Sequence, residues 1–185
     1  EADNYHALQL LEYLYAGKVD CIYIDPPYNT GAKDWKYNND YVDGNDAYRH
    51  SKWLSFMQRR LQLAKKLLNP KDSVLIVTID EKEYLHLGCL LEEMFPNATT
   101  TMATDVINPR AGVARPNSFT RSQEYVYFIQ IGSSSIASEL LVDDTKKIQY
   151  GFLLCVRDQT VPVATDLILF YPVWATHEAF GLHRR

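Results

Sequence analysis

The chain has 185 residues, of which 46% are apolar and 23% are charged, and its 19 Lys and Arg residues against 23 Asp and Glu residues give a formal net charge of −4. This apolar fraction excludes a disordered chain, and no apolar run reaches the roughly 18 residues that a membrane-spanning helix needs. An acidic chain does not hold nucleic acid through its overall charge, so any such contact requires a local basic patch.

In chain order the predicted elements are a helix capped by Asp3 or Asn4 and ended by Gly17, a strand over 19–24, a long polar loop over 28–50, a helix over 51–68, a strand over 73–79, a helix from Asp80, and strands over 100–107 and 124–130. The helices follow from apolar residues at helical spacing, and the strands from short, β-branched apolar runs. Asp80 and Glu83 have the spacing of a capping box at the start of the third helix.

This order predicts an α/β fold with helices on both faces of its sheet. The first strands are parallel, and the last two, joined without a helix, form an antiparallel pair. A serine-rich stretch at 133–135 marks the predicted domain boundary. Residues 1–132 then form one unit, and residues 133–185 form a β-rich segment without a recognisable motif.

Cysteine and histidine show no metal-binding pattern. Cys21, Cys89 and Cys155 lie far apart in apolar surroundings, without a CxxC spacing. We therefore expect reduced, buried thiols and a cytoplasmic location. The five histidines are also scattered, and no metal site is predicted.

The segment Asp25-Pro26-Pro27-Tyr28 directly follows a buried strand, where open α/β sheets bind ligands. The Asp25 carboxylate and the Pro26 carbonyl are two acceptors on a stiff turn, and the exocyclic amine of a nucleobase has two N–H donors to match them. Accepting both hydrogens frees the nitrogen lone pair for attack on an electrophile. Tyr28 adds a flat face for an unstacked base. The alternative is a strand-ending Pro-Pro turn with a satisfied aspartate.

The same residues resemble the catalytic motif of amino-methylating DNA methyltransferases, in which Asp, Asn or Ser precedes Pro-Pro and an aromatic residue. The chain is most similar to adenine-N6 modification subunits of type III restriction-modification systems, where this motif precedes the cofactor motif. The matching stretches are Asp3-Asn4 with its helix, VDCIYIDPPYNTG, the helix from Trp53, LLNPKDSVLIVTIDEKE and EYVYFIQ. The fold implied is a partial Rossmann-like methyltransferase sheet.

The resemblance also implies roles for single residues. Asp25 and Pro26 would bind the target adenine amine, Pro27 would complete the motif, and Tyr28 would stack on the flipped base. Asp25 would also lie near the methyl donor, S-adenosylmethionine. Asp3 matches an acidic position before the first helix, which makes it a candidate cofactor contact, although a helix cap explains it equally well.

One part of the family pattern is missing. The family binds its cofactor with a glycine-rich turn, F-x-G-x-G, and no two of the eight glycines here are two residues apart. We therefore expect this polypeptide to be the catalytic half of a longer enzyme. Alone, it should bind S-adenosylmethionine weakly or not at all and be inactive.

Positive charge is concentrated in the segment 108–123, which contains Arg110, Arg115 and Arg121 and no acidic residue. These arginines are candidate contacts for double-stranded DNA, although a solvated loop would look the same. The resemblance further implies a second methyltransferase subunit and a restriction subunit as partners, and no membrane.

Two alternatives to adenine-N6 methylation remain open. Cytosine-N4 methylation uses the same chemistry, but its motif more often begins with Ser. Related enzymes that act on RNA bases or glutamine amides tend to have Asn at that position, which makes Asp25 atypical of them. The second alternative, a non-catalytic DNA-binding or assembly module, is favoured by the missing glycine turn and disfavoured by the intact motif.

Overall fold

A computed structural model describes residues 3–106, 117, 119–142, 148–156, 159–160 and 167–170. Within these ranges the elements are, in chain order, α1 (Asn4–Tyr15), β1 (Cys21–Ile24), β2 (Ala32–Tyr37), β3 (Asp40–Asp43), α2 (Arg49–Leu67), β4 (Asp72–Ile79), α3 (Tyr84–Met94), β5 (Thr99–Val106), β6 (Gln123–Gly132), β7 (Ser135–Val142), β8 (Ile148–Val156), β9 (Gln159–Thr160) and β10 (Leu167–Phe170). No helix among them is long and apolar enough to cross a membrane.

The main sheet has five strands in the order β10-β1-β4-β6-β5. β1 runs parallel to β4 and to β10, whereas β6 runs antiparallel to β4 and to β5. The parallel β1–β4 pair is connected through α2, as parallel strands require a crossover. This mixed sheet with helices confirms the predicted α/β class and the antiparallel pair at its end.

Apolar burial explains the position of β4 inside the sheet. Val74 and Leu75 are consecutive and both fully buried, so both faces of the strand are covered. The predicted apolar stripe of α2 is buried throughout, at Trp53, Met57, Leu61, Ala64 and Leu68. α2 packs against both α1 and α3. The carboxyl end of β1 therefore lies beside the buried strand β4, and the chain continues from it to the well-packed helix α2.

The long loop predicted over residues 28–50 contains a hairpin, so that prediction is wrong for β2 and β3. Asn38 and Asn39 connect these strands with positive φ angles of 50° and 69°. Two successive left-handed residues match the twist of a two-residue hairpin turn, and asparagine adopts this conformation more readily than most residues. The Asn38-Asn39 pair was the sequence feature that could have predicted this turn.

The start of the third helix also differs from the prediction. α3 begins at Tyr84, and Glu83 makes no side-chain cap. The Asp80 side chain instead accepts a hydrogen bond from the backbone N–H of Lys82 at 2.8 Å, which forms a turn before the helix. Glu83 is drawn into the protein interior, as described below.

The cysteine prediction is only partly right. Cys21 is partly buried, but Cys89 is exposed, because it lies on the solvent side of α3. Burial, followed by the charge of Asp20, raises the pKa of the Cys21 thiol to about 11, which keeps it protonated. The side chain of Cys155 lies outside the described residues.

The predicted β-rich segment does contain strands. β7, β8 and β9 form a three-stranded sheet of their own, whereas β10 pairs with β1 in the main sheet. The domain boundary after residue 132 remains a prediction.

Candidate active site

The segment that follows β1, residues 25–29, lies at one edge of the main sheet. Because β1 and β4 are parallel, their carboxyl ends meet there, and Ile24 is in register with Val77. The next residue of β4, Thr78, donates its hydroxyl to Asp25 Oδ1 at 2.7 Å. This bond orients the Asp25 carboxylate, which remains partly exposed at the sheet edge.

The carbonyl groups of the two prolines in this acceptor loop (residues 25–29) differ in their hydrogen bonding. Trp53, fully buried in α2, donates its indole N–H to the Pro27 carbonyl at 2.7 Å. The Pro26 carbonyl accepts no hydrogen bond from any residue that the structure describes. The acceptor that the sequence analysis assigned to the target amine is thus the one that the described protein groups leave available.

Tyr28 is partly buried against the hydrophobic core. Burial raises the pKa of its phenol, and the neighbouring carboxylates of Asp25 and Glu124 raise it further. The phenol therefore stays neutral and acts as a hydrogen-bond donor toward Asp25. Asp25, Pro26 and Tyr28 lie together at the carboxyl end of β1, and their individual roles remain predictions.

Sequence reasoning missed Asn29, the residue that follows Tyr28. Asn29 is 1% exposed, and its φ of 56° lies in the left-handed region. Its side-chain oxygen accepts the indole N–H of Trp35 at 3.0 Å, and its amide nitrogen donates to Glu83. The only sequence signal was asparagine's tolerance of left-handed backbone after a turn.

Glu83 and two histidines form a second cluster that the sequence analysis missed. Glu83 is fully buried. His50 Nδ1 lies 2.6 Å from one carboxylate oxygen, and His86 Nδ1 lies 3.0 Å from the other. The His50 and Glu83 positions are 33 residues apart, a separation at which sequence spacing gives no sign of contact.

Arg121 lies in an acidic environment. Its guanidinium is 3.6 Å from Asp80, 3.4 Å from Glu81 and 3.0 Å from Glu124, and its side chain is 19% exposed. A DNA phosphate would therefore have to compete with three carboxylates for this cation. Arg110 and Arg115, the other candidate DNA contacts, lie outside the described residues.

Two of these acids titrate abnormally. Burial raises the pKa of Asp80 to about 6, while the Lys82 backbone N–H and Arg121 oppose that rise. Burial also raises the pKa of Glu124, against the effect of Arg121. Desolvation therefore outweighs ion pairing at both carboxyl groups.

Asp3 acts as the cap of α1, accepting the backbone N–H of Tyr5 at 2.9 Å. Its carboxylate also lies 3.8 Å from Arg60. This is the helix-cap alternative of the sequence analysis, and a contact with the cofactor remains a prediction.

The described residues do not fit the donor pocket that the resemblance implies. Among the described residues, the glycines with positive φ are Gly17, Gly31 and Gly132. None of them opens a helix after a strand of the main sheet, as a phosphate- or nucleoside-binding glycine turn would. The acceptor role of residues 25–29 remains a prediction.

Known DNA methylases are similar in sequence to this chain. A family model described as DNA methylase (N6_N4_Mtase) matches residues 19–152. The probable type III restriction-modification enzyme HindVI Mod subunit of Haemophilus influenzae is 35% identical over 135 residues, which are 73% of this chain and 17% of that protein. The type III EcoPI Mod subunit of Escherichia phage P1 is 32% identical over 150 residues, or 69% of this chain and 23% of the relative.

The type II methyltransferase M.KpnI of Klebsiella pneumoniae is 31% identical over 161 residues, which are 86% of this chain and 37% of that protein. The chain thus spans between 17% and 37% of the length of these three relatives. These matches confirm the resemblance to modification subunits that the motif indicated. The chain belongs to the DNA methylase family.

Proposed function

We propose that this chain carries the acceptor site of a site-specific DNA methyltransferase that methylates N6 of a flipped-out adenine. One observation carries the proposal. Asp25, oriented by Thr78, and Pro26, whose carbonyl accepts no hydrogen bond from the described residues, follow each other at the end of β1, next to Tyr28. Membership of the DNA methylase family and similarity to Mod subunits support it.

The chemistry of the acceptor site follows from its hydrogen-bonding groups. Asp25 and Pro26 each accept one N–H of the adenine amine, and Thr78 fixes the orientation of Asp25. The amine nitrogen then keeps its lone pair outside the ring, which raises its nucleophilicity. S-adenosylmethionine, the donor in this proposal, supplies an electrophilic methyl group when bound. In this proposal the Asp25 carboxylate accepts the proton that the methylated amine releases.

Flipping the base out of the duplex is part of this proposal. An amine paired inside the helix cannot reach a carboxylate at the edge of a sheet, so the base must leave the stack. Tyr28 offers its ring for stacking, and its neutral phenol adds no charge beside the base. Both features favour a nucleobase over a flexible aliphatic amine as the substrate.

The proposed partners are double-stranded DNA, a second methyltransferase subunit and a restriction subunit. Arg110, Arg115 and Arg121 are the proposed DNA contacts, and Arg121 would exchange carboxylate partners for phosphate on binding. A cytoplasmic location, where the DNA of a bacterial cell lies, belongs to the same proposal.

Analysis of methylated nucleosides tests the base that is modified. The full-length gene product, S-adenosylmethionine and unmethylated DNA are incubated, and the digested DNA is analysed by mass spectrometry. We expect N6-methyladenine. N4-methylcytosine would replace the proposal by its cytosine alternative, and the absence of both from a folded, donor-binding protein would favour the non-catalytic module.

A further inference from the structure

The proposed function, on which this inference rests, leaves the buried carboxylate of Glu83 without a role. We propose that Glu83 is a positioning residue of the acceptor site. It holds Asn29, and through Asn29 it fixes the loop that carries the Pro26 carbonyl and the Tyr28 ring. His50 and His86 are the hydrogen-bond donors that keep the Glu83 carboxylate in place.

The surroundings of Glu83 explain why it holds one position. The side chain is fully buried and pairs with no lysine or arginine of the described residues. A buried carboxylate without donors costs several kcal/mol, so it depends on the groups that solvate it. Here they are the Asn29 amide and the Nδ1 atoms of His50 and His86. In the proposed network Glu83 is an acceptor only, and all three groups donate to it.

Asn29 connects this carboxylate to the acceptor loop. Its side-chain oxygen accepts from Trp35 on β2, and its amide nitrogen donates to Glu83 just before α3. Trp53 on α2 binds the carbonyl of Pro27, two residues earlier. The loop is therefore fixed on both sides of Tyr28, by groups from the hairpin, α2 and the turn before α3.

The cluster could instead bind a divalent cation, because the candidate ligand atoms of His50, Glu83 and His86 lie within 4.8 Å of one another. The contact distances favour hydrogen bonds over a bound cation. The nitrogen–oxygen separations of 2.6 and 3.0 Å are those of hydrogen bonds. The Asn29 amide also points its N–H at the carboxylate, where a cation would repel it.

A reciprocal exchange tests the proposal. Asn29→Asp places a second carboxylate against Glu83 and breaks the pair. Asn29→Asp combined with Glu83→Gln restores an amide–carboxylate bond in the opposite direction, with the partly exposed His50 turning to the tautomer whose Nδ1 accepts from the new amide. In the full-length enzyme we expect kcat to fall about 100-fold in Asn29→Asp, with little change in KM for DNA, and to return within about tenfold in the double variant. Unchanged kcat in the folded single variant, or no recovery in the double variant, would overturn the proposal.

A spectroscopic measurement separates this inference from the proposed function. The Trp35 indole N–H, observed by 15N NMR in the 185-residue chain, reports the Asn29 contact directly. We expect its resonance to move and its hydrogen exchange to accelerate in Glu83→Gln, and His6→Gln on the exposed surface of α1 serves as the matched control. If no methyl transfer is found in the wild type, the proposed function fails, and the Trp35 signal still decides the positioning role.

Two further outcomes are tested with the same variants: failure of Asn29→Asp to fold, and binding of Zn²⁺ by the cluster. Should Asn29→Asp fail to fold, Glu83→Gln carries the kinetic test, and kcat within twofold of the wild type would contradict the proposal. Stoichiometric Zn²⁺ binding that His50→Gln abolishes would replace the hydrogen-bonded network by a metal site. Absence of Zn²⁺ binding in the wild type supports the network.

Discussion

The two proline carbonyls of the acceptor loop are chemically alike, but neighbouring side chains give them different hydrogen bonding. Trp53 donates to the Pro27 carbonyl, whereas the Pro26 carbonyl accepts no hydrogen bond from the described residues. Thr78 holds Asp25 from the neighbouring strand. A chemical function that four consecutive residues encode therefore depends on side chains that come from β4 and α2.

Asp80 gives a prediction on the pH dependence of stability. Its pKa is raised from 3.8 to about 6, so between these values the folded state binds more protons than the unfolded state. The contribution of Asp80 to stability is complete below pH 4 and is lost as the pH rises through 6. We expect Asp80→Asn, which does not titrate, to gain about 2–3 kcal/mol relative to the wild type between pH 4 and pH 7.

Urea unfolding of both proteins at several pH values measures this difference. Glu92→Gln, on the exposed side of α3, is the matched control for replacing a carboxylate by an amide. A difference between Asp80→Asn and the wild type that stays constant with pH would show that the Asp80 carboxyl titrates normally.

The candidate site residues of the motif could be identified from sequence, and the residues that support them could not. Asp25, Pro26 and Tyr28 lie within four consecutive residues, and their proposed chemistry follows from their types. Asn29 and Glu83 are 54 residues apart, so no local pattern connects them. Glu83 even has capping-box spacing with Asp80, and only the tertiary structure shows that its side chain turns inward instead.

At the scale of elements, the hairpin of β2 and β3 is the main addition to the predicted fold. The α2 and β4 predictions were correct to within about two residues, because long apolar patterns identify such elements. The hairpin strands are short and mostly exposed, with Trp35 and Val42 as their buried residues. Because the hairpin sequence lacks a regular alternation of apolar residues, its pattern predicts a loop.

Gly31 offers a test of how this hairpin is closed. Its φ is 85°, and a Cβ added to it would lie 2.6 Å from the backbone Cα of Gly44. We expect Gly31→Ala to destabilise the chain by about 2–4 kcal/mol, through backbone strain and this collision. Urea unfolding measures the loss.

Gly44→Ala is the matched control on the opposite strand end, because its Cβ would meet Gly31 at an ordinary 3.5 Å. We expect it to cost less than about 1 kcal/mol. Equal effects of the two substitutions would mean that the close approach of the two backbones does not determine the stability of the hairpin.

At the scale of the whole molecule, the net charge of −4 coexists with a segment that carries only positive charge. The described end of that segment, Arg121, is already paired with carboxylates. The acidic chain therefore carries its proposed DNA contacts in one segment. Electrostatic attraction to DNA should depend on that segment and not on the average charge.

The missing glycine turn leads to a prediction for the chain as a whole. Without it, the 185-residue chain should bind S-adenosylmethionine weakly or not at all, although it carries the acceptor motif. Isothermal titration calorimetry measures this affinity directly. A micromolar dissociation constant would show that these residues build a donor site of another kind.

Substitution of Asp25 tests the central claim most directly. Single-turnover methyl transfer to DNA is measured for the full-length enzyme and for Asp25→Ala, together with the thermal unfolding of both. We expect the rate to fall at least about 1,000-fold, because the amine loses one of its two acceptors, while the melting temperature changes by only a few degrees. Methyl transfer at the wild-type rate by the folded variant would contradict the assignment of Asp25 to the acceptor site.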